Sequence, residues 1–216
     1  MNTKVKICGI KRREDADVAV AEGAAAIGFI FVRNSPRYID PDDARAIVRT
    51  LPPFVTPVGV IALTSRPEAL ALVANTGVRC LQLHNSEDRN DLGEFPIPYY
   101  RVFRVSPEFN TEILTSTRGN AFMLDTFVEG KLGGTGRAFD WSIALRAKQF
   151  GKLILSGGIN PQNVGEAICQ ISPYAIDVSS GVESSPGVKD SQKIHSLFEA
   201  ISEAETNLAS RRSNEH

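Results

Sequence analysis

The sequence predicts a single-domain (β/α)₈ barrel of the TIM-barrel class, and three observations predict it. Eight short β-rich runs alternate with stretches of helical apolar spacing over roughly 200 residues, about 25 per unit, which implies parallel strands covered by helices. At 216 residues and 42% hydrophobic, the chain is long enough for one well-buried core. No linker, internal boundary or repeat beyond the β/α period interrupts the alternation. An open doubly wound sheet is the architectural alternative.

The strand-like runs are 4–8 (KVKIC), 26–31 (AIGFIF), 57–62 (PVGVIA), 78–83 (VRCLQL), 99–104 (YYRVFR), 120–125 (NAFMLD), 152–155 (KLIL) and 174–178 (YAIDV). Helical spacing fills EDADVAVAEGA, PDDARAIVRTL, PEALALVANTG and NVGEAICQI between them. A fourth helix is expected near 86–93 and a fifth near 107–116, both with weaker patterns. Gly23 and Gly77 stand where left-handed helix caps are expected. In the last helix Asp190 is a natural cap, and Ile194, Leu197, Phe198 and Ile201 form one apolar stripe. The barrel domain is placed at 1–202, and the polar stretch 203–216 is expected to be a disordered tail.

Composition narrows the function. Charged residues make up 23% and the formal net charge is -1, so no broad attraction to nucleic acid or an anionic membrane follows. Any anionic ligand must be held by local groups. No apolar stretch approaches the ~18–20 residues of a membrane span, and MNTKVKICGIKRRED shows no secretory signal. Cys8, Cys80 and Cys169 are too sparse for a disulfide framework or zinc knuckle, and His84, His195 and His216 too scattered for a metal cluster. A reducing cytoplasm and a metal-free site are expected.

Active sites of such barrels lie at the C-terminal ends of the strands. Alternation puts Val5 and Ile7 on one face of the first strand and Lys4, Lys6 and Cys8 on the other. The apolar pair should pack under helices, which sends Cys8 into the barrel mouth. In the sixth strand Phe122 and Leu124 face the helices, so Met123 and Asp125 face inward. Cys8 and Asp125 thus project into one pocket from well-separated strands, as an acid and a base on opposite faces of a substrate would. The plainer readings are a small buried hydrophobe for Cys8, as for Cys80 and Cys169, and a turn residue for Asp125.

Glycines supply the second signal. Ser156-Gly157-Gly158-Ile159-Asn160 follows the seventh strand and Ser179-Ser180-Gly181-Val182-Glu183 the eighth. Glycine lets backbone N–H groups approach an oxyanion, and these two loops are where barrels commonly hold phosphate. Gly130–Gly136 (GKLGGTG) lacks the residue order of a P-loop and reads as a lid. Arg37, stiffened by Pro36, could take a carboxylate through two parallel bonds; a solvated surface arginine is the alternative.

In order along the chain, Lys6-Ile7-Cys8-Gly9-Ile10, Ser35-Pro36-Arg37, Leu81-Gln82-Leu83-His84, Leu124-Asp125, Gly133-Gly134-Thr135-Gly136 with Phe139-Asp140-Trp141, Leu155-Ser156-Gly157-Gly158-Ile159, and Asp177-Val178-Ser179-Ser180-Gly181-Val182-Glu183 followed by Pro186-Gly187 and Lys189-Asp190 closely resemble the phosphoribosylanthranilate isomerase family of the tryptophan pathway. The resemblance covers roughly residues 5 to 200; Asn85 departs from it, where that family usually has Gly. It implies an Amadori rearrangement of N-(5-phosphoribosyl)anthranilate to 1-(2-carboxyphenylamino)-1-deoxyribulose 5-phosphate, without metal or cofactor. Cys8 then matches the general base, Asp125 the general acid and Arg37 the group facing the anthranilate carboxylate. Gly134, Gly157, Gly158, Ser180 and Gly181 match the phosphate end, and Gln82, His84 and Asp177 line the pocket. The expected partner is the small phosphosugar alone, and the chain is expected as a monomer or weak homodimer. The histidine-pathway isomerase of the same fold ends its first strand in a carboxylate, and Cys8 argues against it. A carboxyl of pKa about 3.9 and a thiol of about 8.5 are both in the wrong form at neutral pH, so the site must shift them or share a proton between them.

Overall fold

The computed structural model describes residues 3–62, 65–84, 95–106, 109–116, 121–125 and 141–213. Eight parallel strands close into a barrel in sequence order: β1 (Lys4–Cys8), β2 (Ala26–Ile30), β3 (Thr56–Ala62), β4 (Cys80–His84), β5 (Tyr99–Arg104), β6 (Ala121–Asp125), β7 (Lys152–Ser156) and β8 (Ala175–Val178), with β8 pairing back onto β1. Each lies within two residues of its expected position.

Alternation sorts the side chains into two layers. Val5, Ile7, Phe29, Phe122, Leu124, Leu153 and Leu155 join the layer between strands and helices. Val58, Tyr100, Val102, Met123, Ile154 and Ala175 pack inside the barrel, filling its lower part. Above that plug the inner positions turn polar, which creates the mouth.

The helices are α1 (Arg13–Ala21), α2 (Pro41–Val48), α3 (Arg66–Thr76), α4 (Trp141–Ala147), α5 (Val164–Ile171) and α6 (Ser191–Ser213). Local chemistry fixes their ends. Asp40 caps α2 through the Asp42 N–H, ahead of Pro41 at the first helical position. A reciprocal Ser65/Glu68 capping box opens α3, and Gly77 closes it at φ 76°. Asp190 accepts from the N–H groups of Gln192 and Lys193 at the start of α6.

Three differences from the sequence reading stand out. The segment expected as a fifth helix near 107–116 is a short 3₁₀ turn, Thr111–Ser116. Helix α4 begins at Trp141, where no helical stretch is marked in the sequence; the segment 86–93 lies outside the described residues. The tail boundary at 203 falls inside α6, which runs to Ser213. Ala204 is 5% exposed and Leu208 packs on the core, so the stripe of Ile194, Leu197 and Ile201 continues through small and aliphatic residues inside a polar sequence. A hydrogen bond from the Thr3 N–H to Glu205 ties this stretch to the chain's start.

After β8 come a 3₁₀ turn (Ser180–Val182) and a small antiparallel hairpin, β9 (Glu183–Ser185) with β10 (Val188–Lys189), in which Lys189 stands opposite Glu183.

Candidate active site

At the top of the barrel the last inward residue of each strand faces the axis. Cys8 ends β1, 4% exposed, on the same face as Lys6. Further round the barrel, Asp125 ends β6 paired with Ser156 of β7, two positions after Met123, which packs in the barrel interior. Gly28 of β2 pairs with Cys8. A Cβ built on Gly28 would stand 2.8 Å from both Cys8 Sγ and Lys6 Cε. The missing side chain is thus the space into which sulfur and lysine stem pack together.

Lys6 is the hub of the interior. Its ammonium donates to Asp177 Oδ1 at 2.7 Å and to Gln82 Oε1 at 2.6 Å. Tyr100 Oη donates to the same Gln82 oxygen at 3.0 Å, and Gln82 Nε2 lies 2.8 Å from His84 Nε2. Burial pulls the Lys6 pKa down, yet Asp177 and neighbouring Cys8 and Tyr100 hold it well above its usual value, so the lysine is charged. Burial and Asp177 raise the Cys8 thiol, against the pull of Lys6 and Lys189. These surroundings favour the thiol over the thiolate that base catalysis requires. Burial, then Lys6, lowers His84 to about 4, and burial raises Cys80 to about 11, as befits an inert thiol.

A second cluster sits beside the loop after β2. Arg37 donates from Nε and Nη2 to the two oxygens of Glu183, at 2.8 and 2.7 Å. Lys189 Nζ and the Gly187 N–H also donate to Glu183 Oε1, at 2.8 and 3.2 Å. Burial would raise the Glu183 carboxyl, but its two cationic donors hold it below its usual range. Burial outweighs Glu183 at Lys189 itself, whose pKa falls. The carboxylate gains from both cations while the more deeply buried cation bears the desolvation. The two-pronged edge of Arg37 expected to meet a carboxylate is thus occupied by one from the same chain; among the described residues Nη1 is the terminal nitrogen left over. Gly9, at φ 76°, lets Arg37 cross it, since a Cβ there would lie 2.8 Å from Arg37 Cδ.

The two glycine loops meet. A Cβ on Gly181 would fall 1.9 Å from the Ile159 carbonyl oxygen, so the turn after β8 lies directly on the loop after β7. Gly157 and Gly158 adopt φ 90° and 68°, and the space beside Gly158 is open. Asn160 and Asn163 both donate to the Gly158 carbonyl, which fixes that peptide. Ser180, exposed, begins the adjoining turn. Of the expected site residues, Gly134 lies outside the described residues.

The hub residues Lys6 and Tyr100, and the pairing of Glu183 with Arg37, were not singled out as site residues from sequence. One signal for Lys6 is present: alternation puts it on the face of Cys8, two residues deeper, and a charge inside a barrel needs a buried partner. The partners of Arg37 carry no local signal. Among the described residues no three His, Cys, Asp or Glu side chains gather as a metal site would require, and no helix is long and apolar enough to cross a membrane.

Residues 5–200 match the family model described as N-(5'-phosphoribosyl)anthranilate (PRA) isomerase. A relative from Nitrosospira multiformis, named N-(5'-phosphoribosyl)anthranilate isomerase, is 45% identical over 95% of this chain and all of its own. Among solved structures, monomers generated from the dimeric phosphoribosylanthranilate isomerase of Thermotoga maritima superpose with a TM-score of 0.80 at 37% identity, covering 93% of this chain and 98% of theirs. A phosphoribosyl anthranilate isomerase in complex with reduced 1-(o-carboxyphenylamino)-1-deoxyribulose 5-phosphate superposes at 0.79 and 36% identity, again over 93% and 98%.

Proposed function

The chain belongs to the N-(5'-phosphoribosyl)anthranilate isomerase family, and from that premise we propose that it carries out the Amadori rearrangement of tryptophan biosynthesis with Cys8 as base and Asp125 as acid. The observation that supports a pair acting across the mouth is that Cys8 and Asp125 end strands far apart around one barrel, on the faces of Lys6 and Met123; which is base and which acid follows the family resemblance.

Asp125, protonated, delivers its proton to the ring oxygen as the C1'–O bond breaks, and the anilino nitrogen lone pair forms the cationic Schiff base. That cation acidifies the C2' hydrogen, which Cys8 as thiolate removes; the electron pair moves onto the iminium to give the enolamine, which tautomerises to the ketone. The resting thiol is compatible with this sequence. Asp125 protonated with Cys8 ionised carries as many protons as its reverse, so reaching it moves one proton and consumes none. The Schiff-base charge then favours thiolate beside it, as Lys6 and Lys189 already do.

Arg37, anchored by Glu183, offers Nη1 to the anthranilate carboxylate. Gly157, Gly158, Ser180 and Gly181 offer their backbone to the phosphate, while Gln82, His84 and Asp177 line the sugar. The reaction calls for no metal or organic cofactor. Three free thiols suit a reducing cytoplasm. The chain acts as a monomer or weak homodimer; Phe54, 96% exposed beside a cavity of about 820 Å³ at the N-terminal end of the barrel, is a surface suited to self-association. Sedimentation across a range of concentrations decides between the two.

Turnover is followed as loss of anthranilate-substrate fluorescence. Cys8→Ala should lower kcat at least ~100-fold with KM nearly unchanged, whereas Cys80→Ala and Cys169→Ala should leave it intact. Wild-type turnover in Cys8→Ala refutes the base.

A further inference from the structure

We infer that Gln82 locks His84 as a neutral imidazole protonated at Nδ1, so that His84 meets the phosphosugar as a fixed hydrogen-bond donor and takes no part as acid or base. The donor role rests on the isomerase reading above; the tautomer does not.

The reasoning starts at Lys6. An ammonium has three donors and no acceptor, so the Gln82 atom 2.6 Å from Nζ must be the amide oxygen. Asp177, 2.7 Å away, keeps that ammonium charged. The Tyr100 hydroxyl, whose burial keeps it protonated, donates to the same oxygen at 3.0 Å. Both lone pairs of the amide oxygen are then used, and the amide cannot turn over without setting its NH₂ against the ammonium. The other end of Gln82 is therefore NH₂, donor only, and it lies 2.8 Å from His84 Nε2. Two donors cannot share that contact, so Nε2 accepts.

An imidazole that accepts at Nε2 is neutral and carries its proton on Nδ1. Imidazolium is excluded by the same geometry, and the charges around the ring agree: burial, Lys6 and Arg104 disfavour the cation, with Asp177 alone opposing them. Nδ1 has no partner among the described residues, and His84 ends β4 at the mouth. Among the described residues its single N–H is thus open to a ligand oxygen, and a phosphosugar is rich in those. Neither nitrogen can act as a base, because the only lone pair, on Nε2, is engaged by Gln82.

The test is an imidazole ¹H–¹⁵N correlation spectrum of the full chain labelled at histidine, with His84→Asn to assign the signals. A protonated Nδ1 and a pyridine-like Nε2, unchanged from pH 8 to pH 5, are expected; a proton on Nε2, or a cationic ring, overturns the inference. In Gln82→Glu the carboxylate can only accept, so the His84 proton should move to Nε2. An unmoved proton in that folded variant would show that Gln82 does not set the tautomer. In turnover, His84→Leu should raise KM about tenfold with kcat little changed, as for loss of one hydrogen bond, and His84→Asn, which keeps an N–H donor, should recover part of that loss. A collapse of kcat at constant KM overturns the donor role in favour of acid–base chemistry. If the wild type fails to turn over the anthranilate substrate, the isomerase reading falls, and the spectrum still decides the tautomer.

Discussion

Replacing Glu183 with Gln removes one charge and almost no volume, and the structure says what that charge supports. Four donors converge on it: Arg37 twice, Lys189 and the Gly187 N–H. The Glu183 and Lys189 side chains are 5% and 1% exposed and that of Arg37 23%. Breaking a buried ion pair from one side costs about 3–5 kcal/mol. Arg37, partly in water, contributes the smaller share, and Lys189 keeps the Ser179 carbonyl at 3.1 Å, so the low end, about 3 kcal/mol, is expected. With a urea m-value of about 2–3 kcal/mol/M, the midpoint should fall by roughly 1–1.5 M at unchanged m. Trp141, the one tryptophan and packed against the core, reports unfolding by fluorescence. The loss should depend on pH in one direction. The folded Glu183 carboxyl sits below its usual value of 4.5, so its stabilisation is fully present above that value and fades as pH falls through the lower folded pKa. The gap between wild type and variant is therefore constant near neutrality and closes in acid. KM should rise as well, since Arg37 loses its anchor. A midpoint shift corresponding to under ~0.5 kcal/mol, or a gap that widens in acid, would refute the role given to this cluster.

Asp125→Asn keeps size but loses the carboxyl proton, so ring opening should fail; a surrogate already ring-opened should partly restore turnover in Asp125→Asn and not in Cys8→Ala, and equal rescue of both would mean that the roles are shared or exchanged. Gly28→Ala drives a methyl to 2.8 Å from Cys8 Sγ and Lys6 Cε, and should cost about 1–3 kcal/mol in thermal unfolding together with a drop in kcat; unchanged turnover would show that the sulfur's position is not critical. Gly181→Ala places a methyl on the Ile159 carbonyl and should separate the two glycine loops, weakening competitive inhibition by inorganic phosphate at least ~10-fold; an unaltered inhibition constant would place the phosphate elsewhere.

The barrel was legible because the period-two pattern of each strand has a consequence on both faces. Phe122 and Leu124 could only go under helices, which left Asp125 inside with Met123, and the same logic on Val5 and Ile7 delivered Cys8. Pairings made across the chain were not legible. Arg37 and Glu183 stand 146 positions apart, and nothing local to either names the other, so Arg37 read as a fork for a ligand carboxylate or a solvated surface arginine. The direction of the Cys8 shift was likewise hidden, because it is decided by burial and by Asp177, from the far end of the barrel sequence. The end of α6 was missed for a different reason: beyond residue 202 the apolar contacts with the core are buried Ala204 and half-buried Leu208, too few to outweigh the polar residues around them.

The pairing of β8 with β1 joins the last barrel strand to the first, and polar contacts cross that same junction. Lys6 meets Asp177, the Lys189 N–H meets Asp15, Arg37 meets Glu183, and Thr3 meets Glu205. A chain emerging from the ribosome in order thus carries Cys8 and Lys6 from the outset but lacks Asp177 and Lys189, the other charges acting on the thiol, until the final strand and hairpin arrive. The electrostatic surroundings proposed for Cys8 are thus completed by the strand that closes the ring and the hairpin after it, so a chain lacking them should be inactive.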